Sequence, residues 1–395
     1  MFLTSIALIL LIGLIFGKLA YKIGLPPLFG MLLAGIIIGP SVLNLLSDEL
    51  LNIASELRQF ALVVILCRAG LSLSHTDLKK IGKPAILMSF VPASVEIFAI
   101  VVIAPYLLGL SYLEAALLGA VLAAVSPAVI VPKMLNLMTA NYGTKKGVPQ
   151  LILAGASLDD IYVIVLFSTF LGLLSGGDFK PAALAAIPIS IITGIALGLF
   201  VGYVLDWVFR IITLRNGERV IVLLATAFLL LTFEKYLAAY IPVSALLAIM
   251  SAGLMLRHRA PERAEKLANS HSQIWLAAEI ILFVLVGAAV DLKAAPAYAG
   301  PGFILIALAL FWRCLAVYLL LRISNFNRRE RLFSAIAYTP KATVQAAIGA
   351  VPLAYGLACG QVILSLAVLA ILVTAPLGAF AIELTYQRLL SRDEE

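Results

Sequence analysis

The chain has 395 residues, of which 63% are hydrophobic and only 12% charged, with a net charge of +7 and a mean hydropathy of +1.09. Soluble domains average about 25% charged residues, so a chain this long and this poor in charge cannot cover its own surface with polar groups. Its solvent is lipid, and no polar stretch is long enough to form a separate soluble domain, an ATP-binding cassette or a regulatory tail.

A helix that crosses a bilayer needs about 20 apolar residues. Apolar runs between polar or Gly/Pro punctuation predict thirteen spans, at about 3–21, 27–46, 57–74, 84–108, 113–137, 149–174, 182–209, 219–236, 240–256, 273–291, 301–322, 331–355 and 361–386. The first twenty residues lack a basic start, so they read as the first span and not as a cleaved signal. Thirteen spans put the termini on opposite sides. Twenty-one lysines and arginines then share one face, and four (Arg58, Lys180, Lys235, Lys293) share the other, with Arg68, Arg313 and Lys341 within or near spans. The positive-inside rule places the C-terminus in the cytoplasm and the N-terminus outside, as in a prokaryotic inner membrane. That asymmetry accounts for the net charge without a nucleic-acid partner. Cys67, Cys314 and Cys359 are scattered through apolar surroundings and read as helix packing. His75, His258 and His271 fall in predicted connections, so no histidine-ligated metal is expected.

Two halves of the chain resemble each other. Gly70 and Gly287, each followed by a short polar exit, are 217 apart (287 − 70), and so are the lone mid-span charges Glu96 and Arg313 (313 − 96). Pro127 and Pro340 are 213 apart (340 − 127), and Pro27 with Leu32, Leu33 and Ala34 is echoed by Pro242 with Leu246, Leu247 and Ala248. The offset is seven spans, and an odd number of crossings inverts the second copy. Inverted repeats characterise secondary transporters, whose substrates bind near the middle of the membrane.

An ionisable group at the bilayer centre costs at least about 2.5 kcal/mol. Asp159 and Asp160 stand side by side near the middle of the sixth span. Consecutive helical residues point about 100° apart, so one carboxyl can line a wet cavity while the other meets a partner in the bundle. A proton and a metal cation can then compete for one acid, the minimum requirement for exchange. Ser126-Pro127 and Thr339-Pro340 interrupt the fifth and twelfth spans near their centres. Freed backbone groups are tolerated there only when buried or facing a cavity, so the symmetric breaks predict half-helices crossing beside an ion site. Lys341 adjoins the second break and can compensate an exposed C-terminal half-dipole. Glu96 and Arg313 predict a buried ion pair, more structural than ion-handling, and Arg68 is read equally as snorkelling or functional. Gly194, Gly198 and Gly202 make a smooth helix face for internal packing or dimerisation, and Gly13 and Gly17 share that ambiguity.

The stretches SPAVIVPKML (126–135), ASLDDI (156–161) and TPKATVQAAIG (339–349) resemble the monovalent cation/proton antiporters, in particular the NHA branch of the second cation:proton antiporter group. The resemblance runs from about Pro26 to Leu384. It implies a sodium/proton antiporter fold: all-α, polytopic, with about thirteen transmembrane helices, inverted repeats and two crossed discontinuous helices. It also implies a homodimer, with scaffold helices in 1–56 and 210–270, core helices in 57–175 and 271–386, and a linking helix at 182–209. The core would carry the ion by an elevator-like movement. Asp160 would bind the transported Na⁺ or Li⁺ (K⁺ is a further candidate) and the proton in turn, with Asp159 supporting it and Ser157 as an oxygen ligand. Ser126, Pro127, Thr339, Pro340 and Lys341 match the crossed breaks, and Glu96 with Arg313 matches a core salt bridge. No cofactor is implied beyond the transported ions. The better-known electrogenic relatives carry a lysine that pairs with the first aspartate, where this chain has Arg313, and arginine hardly deprotonates.

Rival readings are a sodium-coupled organic-anion symporter of similar crossed-helix plan, which the double acid disfavours, and a potassium efflux protein, whose usual nucleotide-binding domain is not expected from any stretch of these 395 residues. An intramembrane aspartic protease would need its acids on two different helices.

Overall fold

The computed structural model describes residues 2–72, 83–176, 181–237, 241, 243–290 and 295–392. Among them there is no strand, only one isolated bridge between Tyr142 and Arg392. The helices are α1 (Phe2–Lys22), α2 (Pro27–Ile38), α3 (Asp48–Asn52), α4 (Ala54–Ser72), α5 (Lys83–Met88) and α6 (Val91–Leu108). Next come α7 (Tyr112–Ala123), α8 (Pro127–Thr139), α9 (Val148–Ser175), α10 (Pro181–Ile211), α11 (Asn216–Leu237) and α12 (Ala245–Arg259). The last are α13 (Pro261–Ala288), α14 (Ala295–Leu320), α15 (Arg328–Ala337), α16 (Thr343–Ile348), α17 (Val351–Ala354) and α18 (Gly360–Leu389).

Among the described residues, six helical stretches are long and apolar enough to cross a membrane: Phe2–Lys22, Ile86–Leu108, Ile192–Ile211, Asn216–Glu234, Tyr298–Ile323 and Gly360–Leu389. The other seven predicted spans also fall on helix. Those helices are short, broken, less apolar, or interrupted by residues whose side chains are outside the described set. The twelfth span, for example, is cut into α15, α16 and α17.

By contact the chain divides into two compact units. One holds Met1–Ser55, Ile81–Phe170 and Ile280–Glu395, the other Glu56–Lys80 and Leu171–Glu279. In the first, α6 packs on α14 and α1 on α2, and an apolar cluster of Met88, Val125, Ile130, Met134, Phe333 and Tyr338 lies among their neighbours. Local signals explain where key helices begin. Ser111 and Glu114 form a capping box at the start of α7, and Asn327 with Glu330 forms one at the start of α15, 216 residues on (327 − 111). Each box satisfies two backbone donors that a helix start otherwise leaves free.

In the second unit, α10 packs along α12. A Cβ on Gly194, Gly198 or Gly202 would run into the backbone at Ser244, Ala248 or Ala252. That glycine ridge is therefore used for packing inside the chain. Gly13 and Gly17 likewise face Ile280, Val284 and Met31 within the first unit. Buried Asp206 on α10 accepts from Arg259 and Arg263 and pairs with Arg210, each at 2.8 Å.

Two histidine placements differ from expectation. His271 is buried within α13, with Nε2 2.8 Å from the Val64 carbonyl oxygen, because the polar residues around it continue a helix and do not end one. His258 lies in the last turn of α12, and His75 falls outside the described residues. Arg68 stacks over the Trp275 ring at 4.8 Å.

Gly198→Val should lower the unfolding temperature in detergent, since overpacking a tight contact costs about 1–3 kcal/mol. Gly172→Ala in α9, where an added Cβ meets nothing within 4 Å, should raise it, by about 0.5–1 kcal/mol of helix propensity.

Candidate functional site

Two helical runs of the first unit stop inside its interior. α7 ends at Ala123 and α8 begins at Pro127, leaving 124–126 non-helical; α15 ends at Ala337 and helix resumes only at Thr343. Pro127 takes the first position of α8, where a missing N–H removes nothing the helix needs. The two interruptions touch: the Ser126 N–H donates to the Pro340 carbonyl oxygen at 2.8 Å. The Lys341 N–H donates to Thr374 Oγ1 of α18 at 2.9 Å, which anchors the second break.

A helix end leaves its last carbonyls without intrahelical donors. In an apolar interior those oxygens need side-chain partners, and here three residues supply them. Lys341 Nζ donates to the Leu122 oxygen at 2.5 Å. Gln345 Nε2 reaches the oxygens of Ala124 (2.8 Å) and Leu122 (3.2 Å). Arg313, from the middle of α14, donates through Nη1 to the Ala123 oxygen and through Nε to the Tyr338 oxygen at 3.0 Å. One guanidinium thus caps the ends of both α7 and α15.

The same cations meet the acids. Arg313 Nη1 lies 2.7 Å from Glu96 Oε2, and Nη2 lies 3.1 Å from Asp159 Oδ2. Lys341 Nζ lies 2.7 Å from Glu96 Oε1. Asp159 Oδ2 also accepts the Val125 N–H at 2.8 Å. Exposure is 0% for Asp159 and Arg313 and 1% for Glu96 and Lys341, so these charges are compensated by one another and by backbone alone.

Asp160 stands apart. It is partly exposed, and its Oδ1 has no hydrogen-bond partner in the protein. Three further buried oxygens share that condition: Asp159 Oδ1, Ser126 Oγ next to the Val125 that donates to Asp159, and Tyr338 Oη beside Gly155 on the same helix as the acids. The arrangement sets a carboxylate with no cation partner among the described residues beside one whose Oδ2 is held by Arg313 and the Val125 N–H. A cluster of oxygen donors with excess negative charge suits a hard cation or a proton.

Of the residues singled out from sequence, Glu96 with Arg313, Asp159, and the breaks at Ser126–Pro127 and Thr339–Lys341 come together here. Asp160 adjoins them on α9. Ser157 is on the same helix, but its side chain is outside the described set. Sequence reasoning missed the Arg313–Asp159 contact, the Glu96 partner of Lys341, and the roles of Gln345 and Tyr338. The available signal was polar residues on both flanks of the second break, Tyr338 before it and Lys341 and Gln345, one turn apart, after it.

Glu96→Gln should be strongly destabilising, by about 3–5 kcal/mol, because it leaves buried Lys341 without its carboxylate while Arg313 keeps only Asp159. Combining it with Lys341→Met removes one stranded charge, so thermal unfolding in detergent should show the double variant losing less than Glu96→Gln alone.

Comparison with known proteins agrees with this architecture. Residues 6–387 match the family model described as sodium/hydrogen exchanger, transmembrane. The chain is 35% identical to sodium/hydrogen exchanger 9B2 of Homo sapiens, over 97% of this chain and 73% of that protein. It is 33% identical to human sodium/hydrogen exchanger 9B1, over 93% of this chain and 73% of the relative. The fold matches the sodium proton antiporter MjNhaP1 of Methanocaldococcus jannaschii with a TM-score of 0.84, at 22% identity and 98% coverage of both chains. Apolar helices throughout the described residues, a matching family model and relatives aligned over nearly all of this chain make one conclusion: this protein belongs to the sodium/hydrogen exchanger family, integral membrane cation/proton antiporters that are transporters and not enzymes.

Proposed function

We propose that this protein exchanges Na⁺ or Li⁺ for protons at Asp160, with cation and proton excluding one another there. The observation that carries the reading is the contrast between the two neighbouring acids. Asp159 is wholly buried with its Oδ2 held by Arg313 and the Val125 N–H, whereas Asp160 is partly exposed and pairs with no cation among the described residues. A group already neutralised by a fixed guanidinium is a poor exchange site, and its free neighbour is a good one. Asp160 loses its proton on the more alkaline side and takes up the cation. On the other side protons displace it. An organic anion fits this environment poorly, because two carboxylates would repel it.

The alternating step we assign to movement of the core segments 57–175 and 271–386 against the scaffold segments 1–56 and 210–270, with 182–209 linking them in a homodimer. The excess of lysine and arginine on one face supports a cytoplasmic C-terminus in a plasma membrane.

The test is reconstitution in vesicles loaded with a pH-sensitive dye and pulsed with Na⁺, Li⁺ or K⁺. Wild type should move protons against at least one of these cations, and Asp160→Asn, correctly folded, should not. Full cation-driven proton flux in that variant would refute the assignment. A protease site appended to the C-terminus should be cut in inside-out but not in right-side-out vesicles; the opposite pattern reverses the orientation.

A further inference from the structure

Tyr338 closes α15, and its side chain has no role in the network described so far. It is fully buried, and its hydroxyl has no hydrogen-bond partner in the protein. Its ring lies 5.5 Å from the Arg313 guanidinium carbon. The tip of the ring points at α9, against Gly155: a Cβ on that glycine would overlap the hydroxyl oxygen, so the absence of a side chain there makes the room it occupies. Gly155 and Asp159 are four residues apart on one helix, and so share a face about 6 Å apart along the axis.

The outcome is a second unpartnered oxygen on the face of α9 that carries the unpartnered Asp159 Oδ1, with Asp160 next along the helix. As packing, this hydroxyl makes no sense. The ring fills the apolar cluster with Met88, Val125, Ala156 and Phe333, and phenylalanine would fill it equally while burying no unsatisfied polar atom. A buried hydroxyl is neutral, donates one hydrogen bond and accepts others, so it can serve an ion that is present part of the time without adding charge to the site.

We infer that the Tyr338 hydroxyl is an oxygen ligand of the transported cation, completing with the Asp159–Asp160 pair a shell in which Gly155 sets the position of the phenol. This rests on the cation being held at those acids. It adds a neutral donor on α15, the half-helix whose end Arg313 caps, so that both the fixed guanidinium and the exchangeable cation are read by one residue: its carbonyl oxygen takes the first and its hydroxyl the second.

The decisive variant is Tyr338→Phe, which keeps the ring and its contact with Arg313 and deletes one oxygen. In vesicles the KM for Na⁺ should rise about tenfold, the scale of one contact to a charged partner, with the maximal rate within about twofold of wild type. In detergent the Na⁺ concentration that half-maximally stabilises the protein against heat should rise in parallel, while the unfolding temperature without Na⁺ stays equal or increases. Gly155→Ala should raise the KM too, by displacing the hydroxyl, and adding it to Tyr338→Phe should have little further effect. Unchanged KM and unchanged Na⁺ stabilisation in Tyr338→Phe, beside an inactive Asp160→Asn, would overturn this inference alone. A lowered unfolding temperature with unchanged KM would make the hydroxyl structural and overturn it as well. A wild-type protein that neither binds Na⁺ nor moves protons would overturn both this inference and the exchange reading.

Discussion

The site hangs on one buried guanidinium. Arg313 has no exposed surface and meets two carboxylates, Glu96 and Asp159, and two backbone oxygens, those of Ala123 and Tyr338. A planar cation with five donors in a fixed fork suits that task, and a lysine ammonium on a flexible stem does not. Buried ion pairs contribute little net stability once desolvation is counted, and their best-attested service is to specify geometry. Here the geometry specified is a crossing of two interrupted helices, whose free carbonyls would otherwise be intolerable in an apolar interior. Lys341 and Gln345 complete what Arg313 begins, so each break is held by side chains from beyond its own helix.

The internal repeat is written into contacts as well as into sequence. Gly70 lies against α12, where a Cβ would come within 3.1 Å of the Gly253 Cα; Gly287 lies against α2, where a Cβ would come within 3.1 Å of the Gly35 Cα. The first pair belongs to one compact unit and the second to the other. Gly70 and Gly287 are 217 apart and Gly35 and Gly253 are 218 apart (253 − 35), so the same close helix approach is made twice from corresponding residues. The two capping boxes repeat at nearly the same offset, at the starts of the two runs that later break.

What was legible in the sequence was whatever carries a large, local cost. Charges in lipid, prolines in mid-span and glycines at matched offsets each violate a strong rule, and Glu96, Arg313, Asp159, Pro127 and Pro340 stood out for that reason. What was not legible depends on direction. Nothing in the chain order says that Lys341 turns to Glu96, that Arg313 reaches a second carboxylate, or that the Tyr338 ring tip meets Gly155. His271 was misplaced because a polar run looks the same whether it ends a helix or continues one through a buried turn. The glycine ridge on α10 was ambiguous because periodicity marks a smooth face without naming the partner, which proved to be α12.

The charge count around the crossing has one more consequence. Glu96, Asp159 and Asp160 carry three negative charges when ionised, and Arg313 and Lys341 carry two positive ones. With nothing on Asp160 the site is a net anion; with either a proton or a monovalent cation it is neutral. Translocating an uncompensated charge through hydrocarbon is expensive, so under the proposed movement an unloaded carrier would be trapped on its own side. Under that reading leak-free coupling would require no separate latch, since the electrostatic barrier itself would forbid the return journey without a passenger.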